Sequence, residues 1–226
     1  MDYADIAGAL AARGLQARGG FHPQDADAVP EVRAGVAART VVLIGNAGGA
    51  AWQAFDAART PGADPLDRWA RAQVQPLAAR LGARDVYPGE RPFLPFQRWA
   101  RLAEDVHTSP LGLLIHPQYG LWHAYRGALL LAEPIAVPER GNRPSPCDSC
   151  PRKPCLAACP VGSFVNGRFD SDSCHGYLRT APGADCLDAG CQARNACPVG
   201  LAHRYGPDQI RFHMRAFHDE RPSTGG

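Results

Sequence analysis

Two rhythms of apolar residues run through the first part of the chain. In residues 2–14 (DYADIAGALAARG), Tyr3, Ile6, Ala7 and Leu10 recur at helical spacing and Gly14 supplies a stop, which predicts a short helix. Residues 15–20 read as a short strand. Thr40-Val41-Val42-Leu43-Ile44 is a β-branched apolar run ending at Gly45-Asn46, the pattern of a buried strand, and Gly48-Gly49-Ala50-Ala51-Trp52 then opens a helix. A strand, a glycine turn and a helix start can cradle a phosphate. The G-x-G-x-x-G fingerprint is absent, however, and a tight turn with close packing is the better account. Residues 65–81 are amphipathic and helical, with a kink or restart expected at Pro76. Residues 95–104 form another short helix. Residues 111–115 and 122–131 read as two strands around a turn at residues 117–120. Helices and strands intermingle, so the expected class is α+β. Pro134, Pro138, Gly141, Pro144 and Pro146 mark a connector, which predicts domains at 1–140 and 141–226. A last helix is expected over 208–219, followed by a frayed tail, RPSTGG.

The second domain owes its identity to cysteine. All eight cysteines lie between residues 147 and 197, and both halves of the cluster close on the same tetrapeptide, Cys159-Pro160-Val161-Gly162 and Cys197-Pro198-Val199-Gly200. The first half, Cys147-x2-Cys150-x4-Cys155-x3-Cys159-Pro160, has the form in which bacterial ferredoxins hold cubane iron–sulfur clusters. In that arrangement a tight loop wraps three corners of a cubane and the fourth cysteine of each run serves the other cluster. Two [4Fe-4S] clusters are therefore expected: one on Cys147, Cys150, Cys155 and Cys197, the other on Cys159, Cys174, Cys186 and Cys191. The spacing departs from the simplest ferredoxin rule in both halves, and a single cluster with spare thiols stays open. Zinc is the main rival, since paired C-x2-C elements also suit it, but zinc does not explain the duplicated C-P-V-G ending. Disulfides need an oxidising compartment, and the N-terminal residues show no basic region followed by an apolar one.

Charge adds little. The formal net charge is +2 with acids and bases interleaved, so no electrostatic footprint for nucleic acid is visible. Basic residues are nearly all arginine, with Lys153 the only lysine. No apolar run has the length needed to span a bilayer. A cytoplasmic protein with neither nucleic acid nor membrane as partner is expected.

The densest chemistry outside the cysteines is His116-Pro117-Gln118-Tyr119-Gly120-Leu121-Trp122-His123-Ala124-Tyr125-Arg126-Gly127. A plain hairpin with packed aromatics would account for a lone histidine or arginine, but not easily for this concentration. Strand alternation would place Trp122, Ala124 and Arg126 on one face and His123, Tyr125 and Gly127 on the other. The segment resembles the cblC-type cobalamin-processing proteins, whose motif runs H-P-x-[F/Y]-G-x-W-x-A-x-R-G. Weaker similarity extends to residues 40–44 and to Val86-Tyr87-Pro88. The resemblance implies a nitroreductase-like α+β domain that binds cobalamin base-off and removes its upper ligand. In that reading Tyr119, Trp122, His123 and Arg126 line the pocket, Arg126 holds an anionic group, and Tyr125 or His116 donates a proton.

The cysteine-rich part resembles the C-terminal module of epoxyqueuosine reductases and reductive dehalogenases. It does so through Cys174-His175-Gly176-Tyr177-Leu178, Gly190-Cys191-Gln192 and Cys197-Pro198. Together the two resemblances imply a corrinoid pocket wired to a ferredoxin-like module. The expected activity is an iron–sulfur oxidoreductase that reduces or dealkylates a corrinoid. An external donor (ferredoxin, flavodoxin or a reductase) would supply electrons, and homodimerisation is left open. Two alternatives remain: a ferredoxin-like electron carrier whose N-terminal domain docks a partner, and an FMN-dependent reductase.

Overall fold

The computed structural model describes residues 1–219, so the predicted tail lies outside the described residues. In chain order the elements are α1 (Tyr3–Ala11), β1 (Gln16–Phe21), β2 (Thr40–Ala47), α2 (Ala50–Ala57), α3 (Pro65–Leu81), β3 (Arg84–Val86) and α4 (Phe96–Ala103). They continue with β4 (His107–Thr108), β5 (Leu114–Ile115), β6 (His123–Leu131), α5 (Pro154–Ala157), β7 (Phe164–Val165), β8 (Arg168–Phe169), α6 (Ser171–Leu178), α7 (Ala184–Ala189), α8 (Gln192–Asn195) and α9 (Pro207–Asp219). The chain is a mixed α+β protein.

Contacts divide it into two compact units. One comprises Met1–Asp105 and His123–Arg143; the other comprises Val106–Trp122 and the chain from Pro144 onward. The sequence places one boundary at residue 140. The contacts instead lend Val106–Trp122 to the cysteine-bearing unit, because Leu111, Ile115 and Leu121 share a buried cluster with Cys155, Ala193 and Cys197.

The first unit is built on an antiparallel sheet of order β1-β2-β6-β3. All eight residues of β2 are buried, which is why its run is apolar on both faces rather than alternating. Around it, Phe21, Phe96 and Trp99 form one aromatic group, and Trp52, Phe55 and Trp69 form another. The predicted helix at the N-terminus is α1, opened by an Asp2–Asp5 capping box. α3 runs unbroken through Pro76, where a kink or restart is expected. Pro76 and Ala72 are both exposed, so the carbonyl freed by the missing N–H faces water and needs no partner within the protein.

The expected hairpin does not form. β5 pairs with β4, whereas β6 pairs with β2 and β3. A period-2 pattern identifies strands but does not name their partners. The β2–β6 ladder also shifts register, with Ile44 opposite Gly127 and Gly45 opposite Tyr125, which puts Arg126 at a bulge. This bulge breaks the alternation expected between residues 122 and 127.

In the second unit, short helices and two small hairpins surround the buried cluster of Leu111, Ile115, Leu121, Cys155, Ala193 and Cys197. Cys147, Cys159 and Cys191 pack against that cluster.

Candidate metal centres

All eight cysteines are free thiols. Cys147 and Cys150 sit on one turn, closed by the Cys150 N–H donating to the Cys147 carbonyl (3.2 Å), with Ser145 Oγ accepting from the Cys147 N–H (3.2 Å). Cys155 follows on α5, and Cys197 arrives from the end of α8; both are buried. Burial pushes the Cys155 thiol up, and Cys197 and Cys150 add to the rise. Cys147 is likewise raised by burial and by Cys197 and Cys155, against lowering contributions from Ser145 and Lys153. Cys197 is raised by burial and by Cys150, against a hydrogen bond from the Val199 N–H. These couplings join Cys147, Cys150, Cys155 and Cys197.

The other four thiols line a single cavity of about 300 Å³. Cys159 comes from the end of the first run, Cys174 from α6, Cys186 from α7 and Cys191 from the start of α8. The remaining wall is mostly apolar, including Leu111, Phe164, Leu178 and Phe217. Burial pushes Cys174 up to about 11, with Cys191, Cys159 and Cys186 adding to it. Cys191 is raised by burial and by Cys186 and Cys159. The Ser163 N–H donates to Cys159 Sγ (3.4 Å).

Clustered buried thiols resist ionisation because each thiolate would repel the next, and a bound cation reverses that balance. Among the described residues, no three His, Cys, Asp or Glu side chains converge on a point suited to one metal ion. A cubane places each thiolate on a different iron, so its ligands stand further apart than those of a single tetrahedral ion. Each set supplies the four thiols such a cluster needs, and those of the second set line one apolar cavity.

The H-P-x-Y-G part of the arginine motif belongs to the cysteine-bearing unit. His116 Nδ1 accepts from the N–H groups of Gln118 (3.0 Å) and Tyr119 (3.2 Å), while His116 and Gly120 exchange backbone hydrogen bonds. Its ring stacks on Tyr119, whose edge contact is His203. Trp122 is 1% exposed, with Arg194 over its ring at 4.5 Å and Tyr205 at its edge. Gly120 lies directly against the C-P-V-G turn, since a Cβ there would come within 2.0 Å of the Val199 carbonyl oxygen.

His123, Tyr125 and Arg126 belong to the first unit, so the six expected pocket residues do not gather on one unit. Arg126 Nε donates to Asn46 Oδ1 (3.1 Å), and its Nη1 lies 3.9 Å from Asp67. Tyr125 donates a short hydrogen bond to Glu104, which also receives Arg18 at 2.8 Å and 3.3 Å. Arg18, buried, further donates to the Asn46 carbonyl (3.0 Å) and lies 3.4 Å from His123 Nδ1. Burial raises Glu104 above the usual carboxylate range despite Arg18, and burial with the Glu104 charge drives the Tyr125 hydroxyl far up. The structure therefore places Tyr125 as a donor locked onto a carboxylate. Arg18→Met should strip that largely buried carboxylate of its guanidinium, at a cost of about 3–5 kcal/mol at neutral pH. Without Arg18 the native state takes up a proton more readily than the unfolded chain, so the variant gains stability as pH falls toward the unfolded carboxylate range. Urea melts of wild type and variant at neutral and mildly acidic pH check both the deficit and its narrowing.

No protein-family model matches the chain, and no curated protein matches it. Solved structures do. A selenomethionine-labelled epoxyqueuosine reductase aligns with TM-score 0.50 and 16% identity over 77% of this chain and 52% of that one. The Bacillus subtilis epoxyqueuosine reductase aligns with TM-score 0.48 and 18% identity over 74% and 50%. An epoxyqueuosine reductase bound to a tRNA-Tyr epoxyqueuosine-modified stem loop aligns with TM-score 0.47 and 18% identity over 75% and 50%. The likeness is one of fold. The chain spans about half the length of each of these structures. The fold likeness to the selenomethionine-labelled enzyme is consistent with the epoxyqueuosine-reductase resemblance, and nothing in it supports a cblC-type domain, cobalamin or FMN. Among the described residues no helix is long and apolar enough to cross a membrane.

Sequence reasoning passed over Arg18, Glu104 and Asn46. Glu104 and Asn46 stand 86 and 28 residues from Arg18 along the chain, and only the packing of α4 and β2 against β1 brings the three together. Asn46 alone had a signal, as a polar residue closing an apolar strand.

Proposed function

We propose that this protein is an iron–sulfur oxidoreductase carrying two [4Fe-4S] clusters. Cys147, Cys150, Cys155 and Cys197 would hold one, and Cys159, Cys174, Cys186 and Cys191 the other. The observation that carries this reading is the division of eight thiols into two coupled sets of four, one of them around a single apolar cavity. Bound clusters supply one-electron transfer. The chain's own part is to exclude water with Leu111, Phe164 and Leu178 and to donate N–H bonds to Cys159 and Cys197. In this reading His116, Tyr119 and Trp122 support the C-P-V-G turn after Cys197 rather than line a substrate pocket.

The first unit would serve the electron acceptor, with Arg126 on an anionic group and His123 and Tyr125 beside it. A corrinoid is the acceptor implied by the sequence resemblance, and reduction or dealkylation of cobalamin the reaction. Anaerobic purification with iron, sulfide, zinc and cobalt counts, then titration with hydroxocobalamin under visible spectroscopy, tests both levels. About eight irons per chain with a saturable base-off spectrum is the expected result. Iron with no cobalamin response removes the corrinoid and leaves an electron carrier, an FMN-dependent reductase or a reductase of an RNA-borne substrate. Zinc in place of iron overturns the whole reading.

A further inference from the structure

Between Cys150 and Cys155 the chain reads Pro151-Arg152-Lys153-Pro154, two residues more than the C-x2-C spacing of bacterial ferredoxins. Pro151 and Arg152 are exposed, and the loop turns inward at Lys153. Lys153 adopts a left-handed backbone (φ 40°), a conformation that a residue with a Cβ takes only when its surroundings impose it. Its ammonium crosses the loop and donates to the carbonyl of Cys147, and the side chain is half-buried. The one lysine of the chain is thus held against the first thiol set. The second set has an acidic neighbour instead, since Asp170 caps the N-terminus of α6, the helix that bears Cys174.

We infer that Lys153 is a positioning charge that keeps the cluster on Cys147, Cys150, Cys155 and Cys197 at a higher midpoint potential than the cluster on the other four cysteines. Each cluster takes up one electron from a low-potential donor of the ferredoxin or flavodoxin class, and its core charge falls by one. An ammonium fixed nearby stabilises the reduced, more negative state and raises the potential. Asp170 acts in the opposite sense at the second set. Electrons entering at the second cluster therefore run downhill to the first. This inference rests on the two-cluster reading above.

The test is an anaerobic redox titration of the loaded protein, with dithionite as reductant and both clusters followed by electron paramagnetic resonance. Wild type should show two resolved midpoints. Lys153→Met should lower the higher midpoint and leave the other in place, while Lys153→Arg should hold both. Should Lys153→Met fail to load its first cluster, the loaded wild type offers a second route. Acetylation removes the charge at Lys153 and the α-amino group alone, whereas reductive methylation keeps it. Acetylated wild type should reproduce the lowered midpoint; methylated wild type and acetylated Lys153→Arg should not. Unchanged midpoints after charge removal, or an equal shift of both, overturn the inference. So does a shift of the same size on methylation. Iron counted in the same samples separates this from a failure of the cluster reading, which would show as far fewer than about eight irons in wild type.

Discussion

Cys159→Ala should strip the chain of the cluster held by the later cysteines, although Cys159 closes the first run. Iron is expected to fall from about eight to about four per chain. Double variants identify which cluster remains. If Cys159 shares its cluster with Cys186, adding Cys186→Ala removes nothing further and about four irons stay. Adding Cys155→Ala to Cys159→Ala should instead empty both sites. The opposite pattern, with about four irons retained in Cys155→Ala/Cys159→Ala, would mean that each run serves its own cluster. The geometry argues for the crossover. Cys159 lines the same cavity as Cys174, Cys186 and Cys191, while Cys155 is coupled to Cys150 and Cys197. Cys155 lies on α5 and Cys159 follows after three intervening residues, past the helix end, which lets the two point to different sites.

Gly120→Ala and Gly200→Ala should each cost about 3 kcal/mol or more, combining left-handed strain with a backbone overlap. Gly120 has φ 58° and Gly200 φ 73°. A Cβ on the first would overlap the Val199 carbonyl, and one on the second would stand 2.3 Å from the carbonyl carbon of Tyr119. Neither obstacle is a flexible side-chain tip, so the two turns would have to part, and Cys197 sits on one of them. Gly112→Ala is the matched control. It has φ 74° but open space around its Cβ, so only the conformational strain of about 1–2 kcal/mol should appear. Thermal melts of the loaded proteins, with iron counts before and after mild chelation, read both effects. Gly120→Ala that melts like Gly112→Ala would show that the two turns do not press on each other. Against a typical total stability of about 5–15 kcal/mol, a loss of this size matters for cluster retention.

How far the sequence could be read depended on whether a feature was local. α1, β2, α3 and α9 follow from spacing within a dozen or so residues, and the structure forms them near the predicted positions. The thiol partition was legible for a similar reason, since loop length limits how many corners of a cluster one run can reach. The hairpin expected between residues 111 and 131 failed because partner choice is not local. β6 carries a long apolar run that the buried β2 can pair with, whereas β5 offers only Leu114 and Ile115.

The H-P-x-Y-G…R-G motif shows the same limit most clearly. Its residues are contiguous in sequence, yet the chain passes from one unit to the other between Trp122 and His123. Gly120 answers to the turn after Cys197, and Arg126 stands at a bulge facing Asn46. By itself the sequence determined the α+β class, the buried central strand and the gathering of all eight cysteines into residues 147–197. All of these rest on periodicity and position along the chain. Only the tertiary structure decided which strands pair, that Val106–Trp122 joins the cysteines, and that Arg18, Glu104 and Tyr125 meet. Each of those is a contact between residues far apart in the chain, selected by burial and hydrogen-bond satisfaction rather than by local pattern.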